Sequence, residues 1–408
     1  HSMVDDDSAE RLKSYFEEIG AVLGNDSRRQ SFAIYAMGIL GDGERKSVEP
    51  IAARACCDPE RLDAAHQSLL HFVGSARWDD AAVRHVAASH AIEAITAHGP
   101  VEAWIVDDTG MLKQGKQSVG DQRQYTGSAG KVTNCQIAVS LSVATRESHA
   151  PNDVALYMPQ GWVDDAKRRR FARIPDSLTF KTKPQLALDM IRRAVKAKVP
   201  RGVLLADSAY GSSAEFRAGV RDLGLHFAVG VDPQSAVWLV DDENRRSEEP
   251  ASVRDIATAL EELGEFRRCC WRRGTQGDMS ARFAARRVVP AYKDPSRPED
   301  EREELWLLVE WRDGERAPAN YFLSSLPKRW TKKQLIRCVM QRWRTERIYE
   351  DLKGELGFDH YEGRSFPGWH HHVTVVLCCY AFVIAERARR FPPSAGDDVE
   401  DESVHFAA

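Results

Sequence analysis

The 408-residue chain is 43% hydrophobic and 29% charged with a net charge of −4, long enough for two or three domains and a large core. It carries no run of about eighteen apolar residues, which excludes a membrane span legible in the sequence, and its acidic balance weighs against a protein that coats nucleic acid along its whole surface. The eight cysteines include the adjacent pairs Cys56-Cys57, Cys269-Cys270 and Cys378-Cys379 and no C-x2-C spacing, which excludes a disulfide framework or a zinc ribbon and fits a reducing, cytoplasmic compartment.

The start, His1-Ser2-Met3, reads as a cloning remnant before a native Met3 rather than a signal peptide. Residues 1–100 are predicted to form an all-helical N-terminal domain for DNA binding or dimerisation. Apolar residues recur there at helical spacing through Leu12, Phe16, Ile19 and Leu23, then Phe32, Ile34, Tyr35 and Leu40. Asp58-Pro59-Glu60 has the form of a helix start. At Val101 the pattern changes. Trp104-Ile105-Val106-Asp107-Asp108 is a short apolar run ending in acids, Gly and polar residues fill 110–131, and Ile137 to Val143 alternates like a strand. Val154 to Tyr157 is the next strand candidate, Pro184 to Lys198 a helix, and Val203 to Asp207 a strand apolar enough to be buried on both faces. Ser213 to Leu223 reads as a helix and His226 to Val229 as a strand. Residues 101–231 are therefore predicted to be a mixed sheet with helices packed on it, an α/β fold.

Residues 232–318 are rich in charge and turn formers with short strand-like pieces, and are predicted to be an inserted β-containing subdomain. In 319–391, one long helix is predicted from Lys332 to about Gly354, and a second, apolar helix from Trp369 to Arg387 packs on the sheet. The acidic stretch 392–408 is predicted to be disordered.

Charge is unevenly placed. Lys328 to Lys353 holds nine Lys or Arg against three Asp or Glu, and a second basic cluster comprises Lys167, Arg168, Arg169, Arg170 and Arg173. Each run taken alone fits a solvated helix face; local basic patches on an acidic whole also permit phosphate binding. On one helix, Arg342, Glu346 and Lys353 would face the same way. That spacing is equally that of a surface ion pair. What changes its meaning is the company of two more carboxylates, Asp107 and Asp207, each ending a predicted strand. Ligands gather at strand ends in open sheets, and three hard carboxylates suit two Mg2+ or Mn2+ ions.

Three blocks of residues resemble the DDE transposases of bacterial insertion sequences, closest to the insertion-sequence 701 branch of the insertion-sequence 4 superfamily. The first is Asp107-Asp108-Thr109-Gly110, with Lys113 to Gly120, Gln124 to Gly127 and Gly130 to Gln136 following. The second is Ala206-Asp207-Ser208-Ala209-Tyr210-Gly211. The third is Arg342-Trp343-Arg344-Thr345-Glu346 with Lys353 to Gly357 and His360 to Arg364. The likeness covers about 101–390. It implies an RNase H-like catalytic fold in which Asp107, Asp207 and Glu346 hold two Mg2+ or Mn2+ ions, and Arg342 and Lys353 grip DNA phosphates. It implies a DNA endonuclease and strand transferase acting on double-stranded DNA, both the terminal inverted repeats and the target. A homodimer on paired ends and a cytoplasmic, nucleoid-associated location in a bacterium, with no membrane partner, follow from it as expectations. The family's Tyr-x2-Arg-x3-Glu-x6-Lys signature is matched except at its Tyr, where Val339 stands.

Several readings stay open at this level. Family first strands end Asp-x-Thr or Asp-x-Ser, which favours Asp107 over its neighbour Asp108. Lys113, Lys116, Arg123 and Arg344 are further DNA-contact candidates. Trp343 is either a base-stacking residue or part of the core, and Lys181 and Lys183 either hold a phosphate or line a polar loop. Gly110-x4-Gly115-Lys116 mimics a nucleotide-binding loop but has Gln117 where Ser or Thr belongs. His370-His371-His372 lacks metal-ligand spacing. The alternative function is a domesticated DNA-binding or regulatory protein that no longer transposes.

Overall fold

A computed structural model describes residues 6–56, 58–274, 277–291 and 302–391. The predicted acidic tail at 392–408 lies outside them. Five helices come first: α1 (Asp6–Leu23), α2 (Asp26–Leu40), α3 (Val48–Ala55), α4 (Pro59–Gly74) and α5 (Asp80–Thr96). Side-chain caps set their starts. Asn25 Oδ1 accepts from Arg28 N at 2.9 Å and Asp79 Oδ1 from Ala82 N at 3.0 Å, each satisfying a donor that the first helical turn leaves open.

Then follow β1 (Val101–Leu112), β2 (Gln122–Thr126), β3 (Lys131–Thr145), β4 (His149–Leu156), α6 (Gln160–Val163), α7 (Ala166–Phe171), α8 (Lys183–Lys196), β5 (Val203–Ala206), α9 (Ser208–Gly211), α10 (Ala214–Asp222) and β6 (Phe227–Gly230). The insertion contributes β7 (Ala236–Leu239), β8 (Ala251–Ser252), α11 (Val253–Glu262), β9 (Arg267–Gly274), β10 (Gly277–Pro290) and β11 (Leu305–Trp311). The chain closes with β12 (Asn320–Ser324), α12 (Lys332–Val339), a 3-10 turn over Met340–Arg342, α13 (Trp343–Gly354) and α14 (Phe366–Arg390).

The chain divides into two compact units, residues 1–101, 108–186 and 344–408 in the first, 102–107 and 187–343 in the second. In the first unit α14 is the core. It packs against α5, α2, α4 and β4, with Trp369, Val373, Val376 and Tyr380 nearly inaccessible. By length and composition it could cross a membrane, but 94% of its most apolar window is buried inside the fold, the placement of a core helix. Polar ties bind the N-terminal helices to it. Tyr15 Oη donates to Cys378 O at 2.9 Å, Tyr35 Oη lies 2.8 Å from His372 Nδ1, and Arg84 Nη1 donates to Thr374 Oγ1 at 2.7 Å. The helices expected as a separate domain over 1–100 therefore lie in one unit with α14. The three adjacent histidines take part in the same packing: His371 Nδ1 lies 2.9 Å from Val73 O and His372 Nε2 2.9 Å from Gly357 O. Burial pushes His370 and His372 down to about 4.

The first unit's sheet pairs β2 with β3 antiparallel, from Gln122 opposite Cys135 to Thr126 opposite Lys131. On its other edge β3 adjoins β1, and β3 pairs β4 antiparallel with a bulge between Leu141 and Ser142. No strand was expected at 122–126, inside the Gly-rich polar stretch. In the second unit β1, β5 and β6 run parallel. β12, β11 and β10 continue the sheet antiparallel, and β10 pairs both β7 and β9. The residues of β5 and β6 are all buried, as the apolar run at Val203 predicts. The insertion thus extends the sheet through β12 and adds the helix α11. This is a mixed α/β, RNase H-like fold with helices flanking its sheet.

One element departs from expectation. The helix predicted from Lys332 to about Gly354 is two helices separated by the 3-10 turn at Met340–Arg342. The i→i+3 bonding of that turn tightens the winding, so the 3.6-residue count across it fails. Two contacts hold the turn on β1: Gln341 Nε2 donates to Glu102 Oε2 at 2.6 Å and Arg342 Nη1 to Asp107 Oδ2 at 3.3 Å. Arg342 thus ends the 3-10 turn, whereas Glu346 and Lys353 lie on α13.

Candidate active site

β1 and β5 align Ala103 with Val203, Trp104 with Leu204 and Ile105 with Leu205. Asp107 and Asp207 each follow the last of these pairs by two residues, and the backbone of Asp207 is still extended, at φ −82° and ψ −175°. Apolar residues before each acid bury the strands, so both carboxylates emerge at the same end of two parallel neighbours. Neither acid is fully exposed. Asp207 also caps α9: its Oδ1 accepts from Ala209 N at 2.9 Å, which orients the carboxylate. Gly211 explains the end of that motif. A Cβ there would stand 2.0 Å from Gly230 O, so only glycine lets α9 lie this close to β6.

Asp107 and Asp108 are adjacent, and strand alternation turns their side chains to opposite sides. Asp107 pairs with Arg342 within the second unit, the side chains being 14% and 30% exposed respectively. Asp108 takes Lys183, whose Nζ donates to its Oδ2 at 3.1 Å, within the first unit.

Glu346 lies on α13 and is exposed. Lys353, on the same helix, donates from Nζ to Gly110 O at 2.7 Å, and burial lowers its pKa. Lys113 Nζ donates to Tyr361 O at 2.9 Å and is likewise lowered by burial. Lys116, Arg123 and Lys181 are exposed and Trp343 is half-buried. Arg344, expected at DNA, is buried and donates from Nη2 to Arg146 O, so its guanidinium serves the interior of the first unit. No helix follows Lys116: the chain enters β2, and the nucleotide-loop reading lacks the helix N-terminus it requires. Val339, at the family's Tyr position, is 3% exposed and packs as an apolar residue.

Sequence reasoning missed Gln341, which anchors the 3-10 turn to Glu102. It also missed Gly110 as the acceptor of Lys353. A Gly inside a strand was the available signal for the second.

Paired strand-end carboxylates are hard-oxygen donors and fit a divalent cation such as Mg2+ or Mn2+. Among the described residues no three His, Cys, Asp or Glu side chains are grouped as a metal cage. The structure pairs Asp107 with Arg342, and separately Asp108 with Lys183.

Two comparisons bear on this arrangement. A relative from Microchaete diplosiphon, described as a probable transposase for insertion sequence element IS701, is 25% identical over 203 residues, 50% of this chain and 48% of the relative. The chain thus spans about half the length of the curated relative it matches. A family model for DDE superfamily endonucleases matches residues 18–278, a span that includes Asp107 and Asp207 and ends before Glu346. That match covers well over half of the chain, which belongs to the DDE superfamily endonuclease family.

Proposed function

We propose that this protein is an insertion-sequence transposase, a DNA endonuclease and strand transferase. The observation that carries the reading is the parallel pairing of β1 with β5, two strands that each lead into one of these acids, in a chain of this family. Glu346 is the third carboxylate on its sequence spacing alone. Divalent metal, held by Asp107, Asp207 and Glu346 as two Mg2+ or Mn2+ ions, would supply Lewis acidity at a phosphorus centre and ease deprotonation of the attacking oxygen. The chain's own part is to hold those carboxylates. Arg342 keeps Asp107 paired with a cation, and the Ala209 N–H fixes Asp207.

In the first reaction, water attacks a phosphorus at the element's end. The bond from phosphorus to the 3′ oxygen breaks, leaving a 3′-OH and a 5′-phosphate. In the second, that 3′-OH attacks a target phosphorus, its proton is lost, and the target's own 3′ oxygen leaves. One bond forms and one breaks each time. Lys116, Arg123 and Lys181, exposed and basic, contact duplex phosphates, which positions DNA without reading sequence. Arg342, Lys353, Lys113 and Lys183 hold the protein oxygens described above and carry further N–H donors with which to meet a phosphate. Two ends must be cut and joined, so the working form is a homodimer on paired ends in the bacterial cytoplasm. No observation favours a regulatory descendant.

The test is cleavage of duplex DNA carrying the cognate terminal repeats in the presence of Mg2+ or Mn2+. The expected result is cutting by the parent and none by Asp107→Asn, Asp207→Asn or Glu346→Gln. Undiminished cutting by Asp207→Asn would end the proposal. Cutting lost in Asp108→Asn but kept in Asp107→Asn would move the metal role one residue along β1.

A further inference from the structure

The basic cluster around α7 has no place in the chemistry above, yet the fold builds it with care. Asp165 caps the helix, its Oδ1 accepting from Lys167 N at 2.8 Å and Arg168 N at 3.1 Å. Of the three consecutive arginines, Arg169 alone serves the scaffold through its guanidinium hydrogen bonds. Its Nη1 donates to Val163 O and Leu178 O at 3.1 Å each, and its Nη2 to Pro175 O at 2.7 Å and Asp176 O at 3.3 Å. One guanidinium thereby closes the loop that follows the helix. Arg168 lies 4.8 Å over the ring of buried Trp162, whose Nε1 donates to Asp121 O at 2.8 Å, at the foot of the β2–β3 hairpin. Beneath the turn Ala172 and Ile174 are buried.

What this turn presents outward is Lys167, Arg168, Arg170 and Phe171, the last 56% exposed, with Arg168 Nε also 3.9 Å from Oδ2 of the capping Asp165. No Asp or Glu occurs from Ala166 through Pro175. Guanidinium forks match phosphate oxygens in pairs, and an aromatic face beside cations adds a surface on which a base or sugar can lie. An amphipathic membrane anchor needs a long apolar face, which the six residues of α7 do not offer.

We propose that α7 is a DNA-backbone contact additional to the basic residues named under the proposed function, gripping duplex phosphates through Lys167, Arg168 and Arg170 with Phe171 packed alongside. It rests on the DNA reading made there. Contacts to phosphate carry no sequence information, so the effect is the same for any duplex.

The experiment is fluorescence anisotropy of a labelled duplex of about 30 bp and arbitrary sequence, titrated with the full chain between about 50 and 200 mM KCl. The parent is compared with Lys167→Glu/Arg170→Glu and with Arg193→Glu/Lys196→Glu, an equal charge change on the exposed side of α8. Each phosphate contact adds about 0.9 to the slope of log affinity against log salt. The α7 variant is expected to bind at least ~10-fold more weakly and to lose about two from that slope, at an unchanged far-ultraviolet circular dichroism spectrum and melting temperature. Phe171→Ala is expected to weaken binding and leave the slope unaltered. A parent that does not bind duplex overturns the DNA reading itself. A parent that binds, with an α7 variant of parental slope, overturns only this proposal. So does an equal loss in the α8 variant, which would mark a net-charge effect. Sedimentation with phosphatidylserine vesicles, lost in the α7 variant while DNA binding stays parental, would assign the turn to a lipid surface instead.

Discussion

Glu386 ties α14 to α1 by a charge-assisted fork whose strength can be read from pH. Its carboxylate accepts from Arg11 Nε and Nη2 at 2.7 Å each, from Ser8 Oγ at 2.9 Å and from Arg389 Nη1 at 2.9 Å. The Arg11 fork is the main cause that draws its pKa from 4.5 to about 2. A folded value below the unfolded one means stabilisation that is complete above about pH 4.5 and is lost as pH falls through about 2. The shift corresponds to roughly 3 kcal/mol as a ceiling, at about 1.4 kcal/mol per unit. Arg11 is 32% exposed, and solvent screening brings the expected contribution to about 1–2 kcal/mol. Urea denaturation followed by circular dichroism should find Glu386→Gln less stable by that amount at pH 7. By pH 3 less than about half of the difference should remain. A cycle with Arg11→Met isolates the pair. A gap between parent and Glu386→Gln that is the same at pH 7 and pH 3, or an Arg11–Glu386 coupling near zero, would refute the reasoning.

Two further outcomes follow from packing in the first unit. Arg84 is buried and donates from Nε to Asp153 Oδ1 at 3.1 Å while also pairing with Asp80, so Arg84→Met strands a buried carboxylate and should cost about 3–5 kcal/mol in urea denaturation. A loss under about 1 kcal/mol would refute the buried ion-pair reading of Arg84. At Gly110 an added Cβ would meet Thr126 Oγ1 at 2.2 Å and its Cβ at 2.7 Å, so Gly110→Ala should lower the melting temperature, at about 1–3 kcal/mol, and Thr126→Ala should restore part of it. No rescue by Thr126→Ala would place the strain elsewhere.

Much of the fold is legible because burial writes itself into local composition. β5 is apolar at every position, since both of its faces are covered, and its final acid stands out against that run. The five N-terminal helices show through their spacing and caps. Their membership of one unit with α14 does not, because it depends on pairs such as Tyr35 with His372 and Arg84 with Thr374, hundreds of positions apart. β2 was invisible for another reason: Gln122 to Tyr125 are mostly exposed, so no alternation is imposed on them. The break at Met340–Arg342 has neither Pro nor Gly to announce it. Its cause is tertiary, the anchoring of Gln341 and Arg342 on β1.

The same break bears on which of two adjacent acids does chemistry. An unbroken helix would assign Arg342 to a stripe with Glu346 and Lys353 and leave Asp107 and Asp108 equivalent. With the turn in place, Arg342 belongs to Asp107 and Lys183 to Asp108, so each acid has its own cation on its own side of the strand. Arg342 thus holds the Asp107 carboxylate through an ion pair at 3.3 Å. Its loss should therefore be felt in metal affinity as well as in DNA affinity, a pairing that a residue on an exposed basic stripe would not produce.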